Sequence, residues 1–181
     1  RHFWAIYSIA ANKMRILGLI PARYGSTRFP GKALALIHGK TMIQRVWEQA
    51  RQAPSLTRVV VATDDERIFN HVASFGGDVV MTRPDHPSGT DRCFEALQNL
   101  SETADYVVNI QGDEPFIQPL QIELLCSVLN GETELATLVR PIDDVATLLS
   151  PNSPKVVLDG RQNALYFSRQ PIPYLRSDGL N

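Results

Sequence analysis

Three cations crowd one short loop near the start of the chain. In IPARYGSTRFPGK, Ile20 to Lys32, an apolar run gives way to Arg23, Arg28 and Lys32 among turn-forming residues. Gly25 and Gly31 allow close approach, while Pro21 and Pro30 stiffen the path. Two guanidinium forks and one compact ammonium can converge on phosphate oxygens, and a triphosphate needs a cradle of this kind. A solvated loop whose arginines pair with nearby acids is the other reading of the same residues. The whole chain carries a net charge of −1. It therefore has no global basic field to hold nucleic acid or an anionic membrane. The positive charge is local and suits a small anion.

Three further segments carry side chains suited to chemistry. In NIQGDEP, Asp113 stands just past an otherwise apolar strand. A carboxylate there either holds Mg²⁺ on phosphates or shapes a turn with Gly112. Glu114 is adjacent as an outer group, and the Gln111 amide is placed to touch a polar substrate. In TRPDHPSGTDR, Ser88, Gly89 and Thr90 form a capped helix start that can receive a base edge or an anion. His86 in that segment has no visible partner and reads as a surface-loop histidine. In YFSRQPIP, Arg169 ends an apolar strand before a proline-stiffened turn. It either binds a substrate carboxylate or is a plain surface arginine.

Other features exclude chemistry. HGKT, His38 to Thr41, mimics the end of a P-loop, but the glycine required five residues before Gly39 is replaced by Leu34. Gly39-Lys40 therefore reads as a turn before a helix. No nucleophile motif appears, and no His/Cys set has metal-ligand spacing. Cys93 and Cys126 lie within apolar helical patterns and read as reduced core residues of a cytosolic protein. No apolar run reaches the roughly 18 residues of a membrane span.

The elements that must position these loops follow from apolar periodicity. Strands are expected at Arg15–Ile20, Arg58–Thr63, Asp78–Thr82 and Asp105–Gln111. ELATLVRP, KVVLD and ALYFSR supply further strands. A helix over Thr41–Ala53 turns Ile43, Val46, Trp47 and Ala50 to one face. DDERIFNHVASFGG is a helix with Ile68, Val72 and Phe75 inward. SGTDRCFEALQNL is another, capped by Ser88 or Thr90, with Cys93, Phe94, Leu97 and Leu100 inward, and Leu120–Leu129 is a fourth. Strands nearly continuous in Val and Ile are buried on both faces. Their alternation with helices predicts a parallel α/β sheet with right-handed crossovers. Ligands of such sheets bind beyond the carboxyl ends of the strands. That rule selects the loops Pro21–Lys32, Thr82–Asp91 and Gln111–Pro115. A length of 181 residues makes one domain the expectation. RHFWAIYSIAANK reads as a non-native or disordered leader (residues 1–13), a signal peptide being the other reading, with the domain running over 14–181.

Taken together, IPARYGSTRFPGK, VVVATDD, TRPDHPSGTDR, VVNIQGDEP and KVVLD…ALYFSRQPIPY occur in the order and spacing of the 3-deoxy-D-manno-octulosonate cytidylyltransferases, the CMP-Kdo synthetases. The chain resembles that family from Met14 to Tyr174. Gly25 stands where many relatives have alanine. The resemblance implies a Rossmann-like nucleotidyltransferase fold of the nucleotide-diphospho-sugar transferase type, mostly parallel, with a smaller antiparallel substructure. It implies transfer of CMP from CTP to the acid sugar Kdo, with Mg²⁺ as cofactor, for lipopolysaccharide assembly in the cytoplasm by a homodimer. A related acid sugar such as sialic acid is the alternative substrate.

By the same resemblance, Ala22, Arg23, Ser26, Arg28, Lys32, Ser88, Gly89 and Thr90 would bind the nucleotide. Arg23, Lys32 and Asp113 would be catalytic, Asp113 would hold Mg²⁺ between CTP and the attacking sugar oxygen, and Gln111 and Arg169 would face the sugar. Family members are longer than this chain. The remainder is expected to carry more of the sugar pocket, further dimer contacts and a second Mg²⁺-binding aspartate. A nucleotide-binding fragment without turnover is therefore a further alternative.

Overall fold

Every second residue of the Val- and Ile-rich runs turns to the same side of a sheet, and here both sides are covered. The computed structural model describes residues 14–25 and 29–173. The expectations for residues 1–13, Ser26, Arg28 and Tyr174 fall outside these. The chain divides between Ala136 and Thr137 into two compact units.

The first unit contains β1 (Ile16–Ala22), β2 (Leu36–Ile37), β3 (Lys40–Thr41), α1 (Met42–Ala50), β4 (Leu56–Thr63), α2 (Glu66–Ser74), β5 (Asp78–Met81), α3 (Gly89–Asn99), β6 (Tyr106–Asn109) and α4 (Pro119–Cys126). β5, β4, β1 and β6 lie side by side in that order, all parallel. The chain winds outward from β1 through β4 to β5, then returns by α3 to lay β6 on the other side of β1. The winding direction reverses there, so the loops leaving β1 and β6 part and leave a crevice at the carboxyl edge.

Alternation sorts the core into two clusters. Ile16, Ile20, Val59, Val61 and Val108 pack with Ile43, Val46 and Trp47 of α1, Ile68 and Val72 of α2, and Ile122 and Cys126 of α4. Leu17, Leu19, Val60 and Ala62 face the opposite way, onto Cys93 and Ala96 of α3. Ile43 is fully buried. Ile43→Ala is expected to destabilise the unit by about 2–5 kcal/mol through lost contact and an unfilled void, read as a lowered urea midpoint. Cys93 and Cys126 are free and buried. Burial pushes the Cys93 thiol up to about 12 and raises that of Cys126, so neither is a ready thiolate.

Local signals set the element ends. Thr41 caps α1 by accepting from the Gln44 N–H at 3.3 Å. Asp65 caps α2 and Ser88 caps α3 in the same manner. His38 and Gly39, with φ of 46° and 80°, make the tight turn joining β2 to β3, as two left-handed residues do in a two-residue hairpin. The P-loop mimic is thus a hairpin tip.

Two expectations need correction. Phe94 does not face inward; it is 63% exposed. A helix turns about 100° per residue. The stripe of Cys93, Ala96, Leu97 and Leu100 therefore leaves Phe94 on the flank. ELATLVRP, from Glu134 to Pro141, is not a strand, and Leu135 in it is 91% exposed. Apolar alternation becomes a strand only when a neighbour takes its backbone hydrogen bonds, and no described strand pairs with this segment. Helix ends also move: Thr41 and Ala53 lie outside α1, and α4 starts at Pro119 and stops at Cys126.

The second unit holds α5 (Val145–Leu149) and the antiparallel pair β7 (Lys155–Leu158) and β8 (Ala164–Ser168). Lys155 is buried there and donates to the carbonyls of Ser150 and Arg169, at 2.5 and 3.1 Å.

Candidate active site at the carboxyl edge of the sheet

A cleft of about 660 Å³ opens at the edge where β1 and β6 diverge. The exit of β1 contributes Ala22 and Arg23, and the rest of the opening loop contributes Phe29 and Lys32. The β5–α3 connection supplies His86 and Ser88, the start of α3 supplies Gly89 and Arg92, and the exit of β6 supplies Gln111, Gly112 and Asp113.

Backbone packing brings the two exits together. The Gly31 N–H donates to the Tyr24 carbonyl at 2.9 Å and closes the base of the opening loop. The Tyr24 ring is covered by the Arg67 guanidinium 3.3 Å from its centroid. Asp65 grips that guanidinium with two hydrogen bonds, of 2.9 and 2.6 Å. The α2 start thereby anchors the loop that carries Arg23 and Lys32. On the other side, a Cβ on Gly112 would sit 2.7 Å from the Pro21 carbonyl oxygen. Only glycine allows the β6 exit to lie this close to β1.

The result is a contact across the crevice: Lys32 Nζ donates to Asp113 Oδ2 at 2.7 Å, with the side chains 38% and 53% exposed. An ion pair this open to water contributes about 0–1 kcal/mol. It is therefore an easily rearranged pair. Arg92 lies beneath, buried, donating to Thr82 Oγ1 at 2.6 Å and to Asp64 Oδ2 at 3.0 Å. The other Asp64 oxygen is buried without a partner among the described residues. Ser88 accepts from the Asp91 N–H at 3.2 Å and donates to the Asp91 carboxylate at 2.5 Å, squaring off the start of α3.

Of the residues singled out in the sequence, Ala22, Arg23, Lys32, Ser88, Gly89, Gln111 and Asp113 line this one cleft. Thr90 follows Gly89, and its hydroxyl accepts from Asn109 at 3.5 Å. Ser26 and Arg28 lie outside the described residues. Arg169 belongs to the second unit, at the end of β8, where it donates to the Pro151 carbonyl at 2.8 Å.

His86 is not a free surface histidine. Its side chain is 8% exposed, and Nε2 is hydrogen-bonded to the Glu95 carboxylate. No spacing rule links residues nine apart across a loop and a helix start, so nothing in the sequence signalled the pair. Arg92 was also passed over. One signal was available, since helical spacing puts it beside Cys93 and Ala96 on the inward side of α3.

The bond from His86, aided by the Arg83 backbone N–H, holds the Glu95 carboxyl below its usual range. A depressed carboxylate stabilises the fold above its unfolded pKa of about 4.3. That contribution is lost as pH falls through the lower folded value. Glu95→Gln is expected to flatten this part of the acid limb. The check is stability against pH from 7 down to about 3, spanning the unfolded pKa.

Among the described residues no three His, Cys, Asp or Glu side chains gather into a cage. Mg²⁺, however, is commonly held by one or two carboxylates together with substrate phosphates. Asp113, exposed on a cleft of this size beside cations, fits that use.

A parallel sheet with a cationic loop and a carboxylate facing each other at its switch point is the layout of a nucleotide-binding α/β fold. The chain belongs to the cytidylyltransferase family, whose sequence pattern matches residues 17–181. It is 57% identical over 166 residues to the 3-deoxy-manno-octulosonate cytidylyltransferase of Cytophaga hutchinsonii, covering 92% of this chain and 66% of that protein. It is 54% identical over 167 residues to the 8-amino-3,8-dideoxy-manno-octulosonate cytidylyltransferase of Shewanella pealeana, covering 90% of this chain and 68% of that one. Its fold matches a solved structure of CMP:2-keto-3-deoxy-manno-octonic acid synthetase complexed with CTP, with a TM-score of 0.83 and 48% identity over 90% of this chain and 67% of the other. The chain thus spans about 66% of the length of the first curated relatives it matches. Among the described residues no helix is long and apolar enough to cross a membrane.

Proposed function

We propose that this chain is a cytidylyltransferase that transfers CMP from CTP to 3-deoxy-D-manno-octulosonate, giving CMP-Kdo and pyrophosphate. The observation that carries the reading is the meeting of Lys32 and Asp113 across the crevice, with Arg23 on the same wall. In this reaction the oxygen of the sugar's anomeric hydroxyl forms a bond to the α-phosphorus and its proton is released to solvent. The bond from that phosphorus to the bridging oxygen breaks, and its electrons leave with pyrophosphate. No covalent enzyme intermediate is needed, so catalysis rests on placement and charge.

Lys32 and Arg23 hold the triphosphate and neutralise charge developing on the leaving group. Ser26 and Arg28 help to seat the phosphates. The exposed Lys32–Asp113 pair parts at little cost, which turns the ammonium to phosphate and leaves the carboxylate for Mg²⁺. When bound, Mg²⁺ supplies further charge neutralisation on the phosphates, and Asp113 is the residue that would hold it. Ser88, Gly89 and Thr90 lie towards cytosine and ribose, Gln111 towards the sugar, and Arg169 suits the sugar carboxylate. The reading sets the enzyme in the cytoplasm, as a homodimer, feeding lipopolysaccharide assembly.

The relative named for the 8-amino sugar differs in substrate only around C8, so both sugars belong in the test. The assay is pyrophosphate release with mass analysis of the product, using CTP with Kdo, its 8-amino analogue or sialic acid. CMP-Kdo is the expected major product. Calorimetric binding of CTP without pyrophosphate release from any sugar would remove transfer from this chain and leave a nucleotide-binding role.

A further inference from the structure

The Arg83–Ser88 connection lends His86, Pro87 and Ser88 to one wall of the cleft, yet regular backbone bonding stops short of its middle on both sides. The Thr82 N–H still reaches the Thr63 carbonyl, and helical bonding resumes with the Arg92 N–H on the Ser88 carbonyl. Between them, one carboxylate on α3 does the joining. Glu95 accepts from the Arg83 N–H at 3.3 and 3.1 Å through its two oxygens, and it is bonded to His86 Nε2. A carboxylate can only accept, so the shared proton sits on Nε2 and the ring is held in one orientation. The imidazole is nearly buried and still lines the cleft. The charged groups around Glu95 are the Arg83 side chain at 3.8 Å and, beyond it, Asp85, 3.5 Å from Arg83.

We infer that the His86–Glu95 pair is a latch that positions the Arg83–Ser88 segment as a wall of the nucleotide cleft, a role that rests on the CTP-binding reading above. His86 is a positioning residue here. It acts by holding the chain that leads into Ser88 and Gly89, so its loss reaches the ligand through them. Glu95 anchors both Arg83 and His86 to α3, so breaking either bond loosens the segment. A wall that must first be ordered costs a ligand affinity.

The experiment uses His86→Ala, Glu95→Ala, the double variant and His86→Gln, which keeps an N–H donor near the position of Nε2. Calorimetry with CTP is expected to show about tenfold weaker binding for each alanine variant. The double variant should be no worse than the weaker single one, because both break one latch. His86→Gln should recover most of the loss. Amide exchange of Arg83 should quicken at least about tenfold in Glu95→Ala while β4 amides keep their protection.

Wild-type affinity in a folded alanine variant, or losses that simply add, would overturn the latch. A wild-type chain that takes no CTP sinks the nucleotide reading instead. The exchange arm needs no ligand and still decides whether Glu95 holds the segment: an unchanged Arg83 amide removes the latch. Should His86→Ala fail to fold, His86→Leu keeps bulk without the donor and carries the same comparison.

Discussion

In Lys32→Ala, the proposed CMP transfer is expected to fall by about 10²–10³-fold, while the melting temperature stays near that of the wild type. Asp113→Ala behaves alike. Charge placed where negative charge grows in a transition state is worth about 3–4 kcal/mol by the loss seen when one such donor is removed. The same two side chains, resting against each other at 2.7 Å in partly exposed positions, contribute about 0–1 kcal/mol to the fold. A large effect on rate with a small effect on stability separates a working pair from a structural one. Turnover with CTP and Kdo, measured beside thermal melting, is the check. Wild-type turnover in either variant removes that residue from the mechanism. A matching collapse of stability would make the pair a scaffold contact.

Gly112→Ala is the second large effect, and it runs the other way, through structure into rate. The added methyl would lie 2.7 Å from the Pro21 carbonyl oxygen. That neighbour is backbone in β1, one of the two inner strands of the sheet, and cannot swing aside as a side chain would. The two exits must separate, at a cost of about 1–3 kcal/mol. Asp113 follows Gly112 directly, so it moves away from Lys32. A displacement of about 1 Å can lower a rate by roughly 10²-fold. The expected result is a lower urea midpoint together with a fall in turnover. Unchanged stability and turnover in Gly112→Ala would mean that the two exits have room to spare.

The elements that carry the site were largely legible from one dimension. A strand buried on both faces needs nearly continuous apolar residues, and β1 and β4 show it. Helices with a single buried stripe need the 3.6-residue period, and Ile43, Val46, Trp47 and Ala50 in α1 show that. From strand and helix alternation came the parallel sheet, and from the sheet came the rule that points to three loops. Where the pattern was ambiguous it misled. Phe94 sits one step round the helix from the inward stripe, and ELATLVRP alternates without a described partner strand.

What the sequence determined by itself was therefore the kind of scaffold, the loops at its working edge and the side-chain types those loops hold. Both helical and strand periods repeat within a few residues, so each can be read locally. Tertiary structure alone decided which of those side chains meet. Lys32 and Asp113 touch across 81 residues of chain, because the winding of the sheet sets β6 beside β1. His86 and Glu95 pair because the connection into α3 folds back along the helix. Such contacts depend on strand order and loop path, which no short-range period encodes.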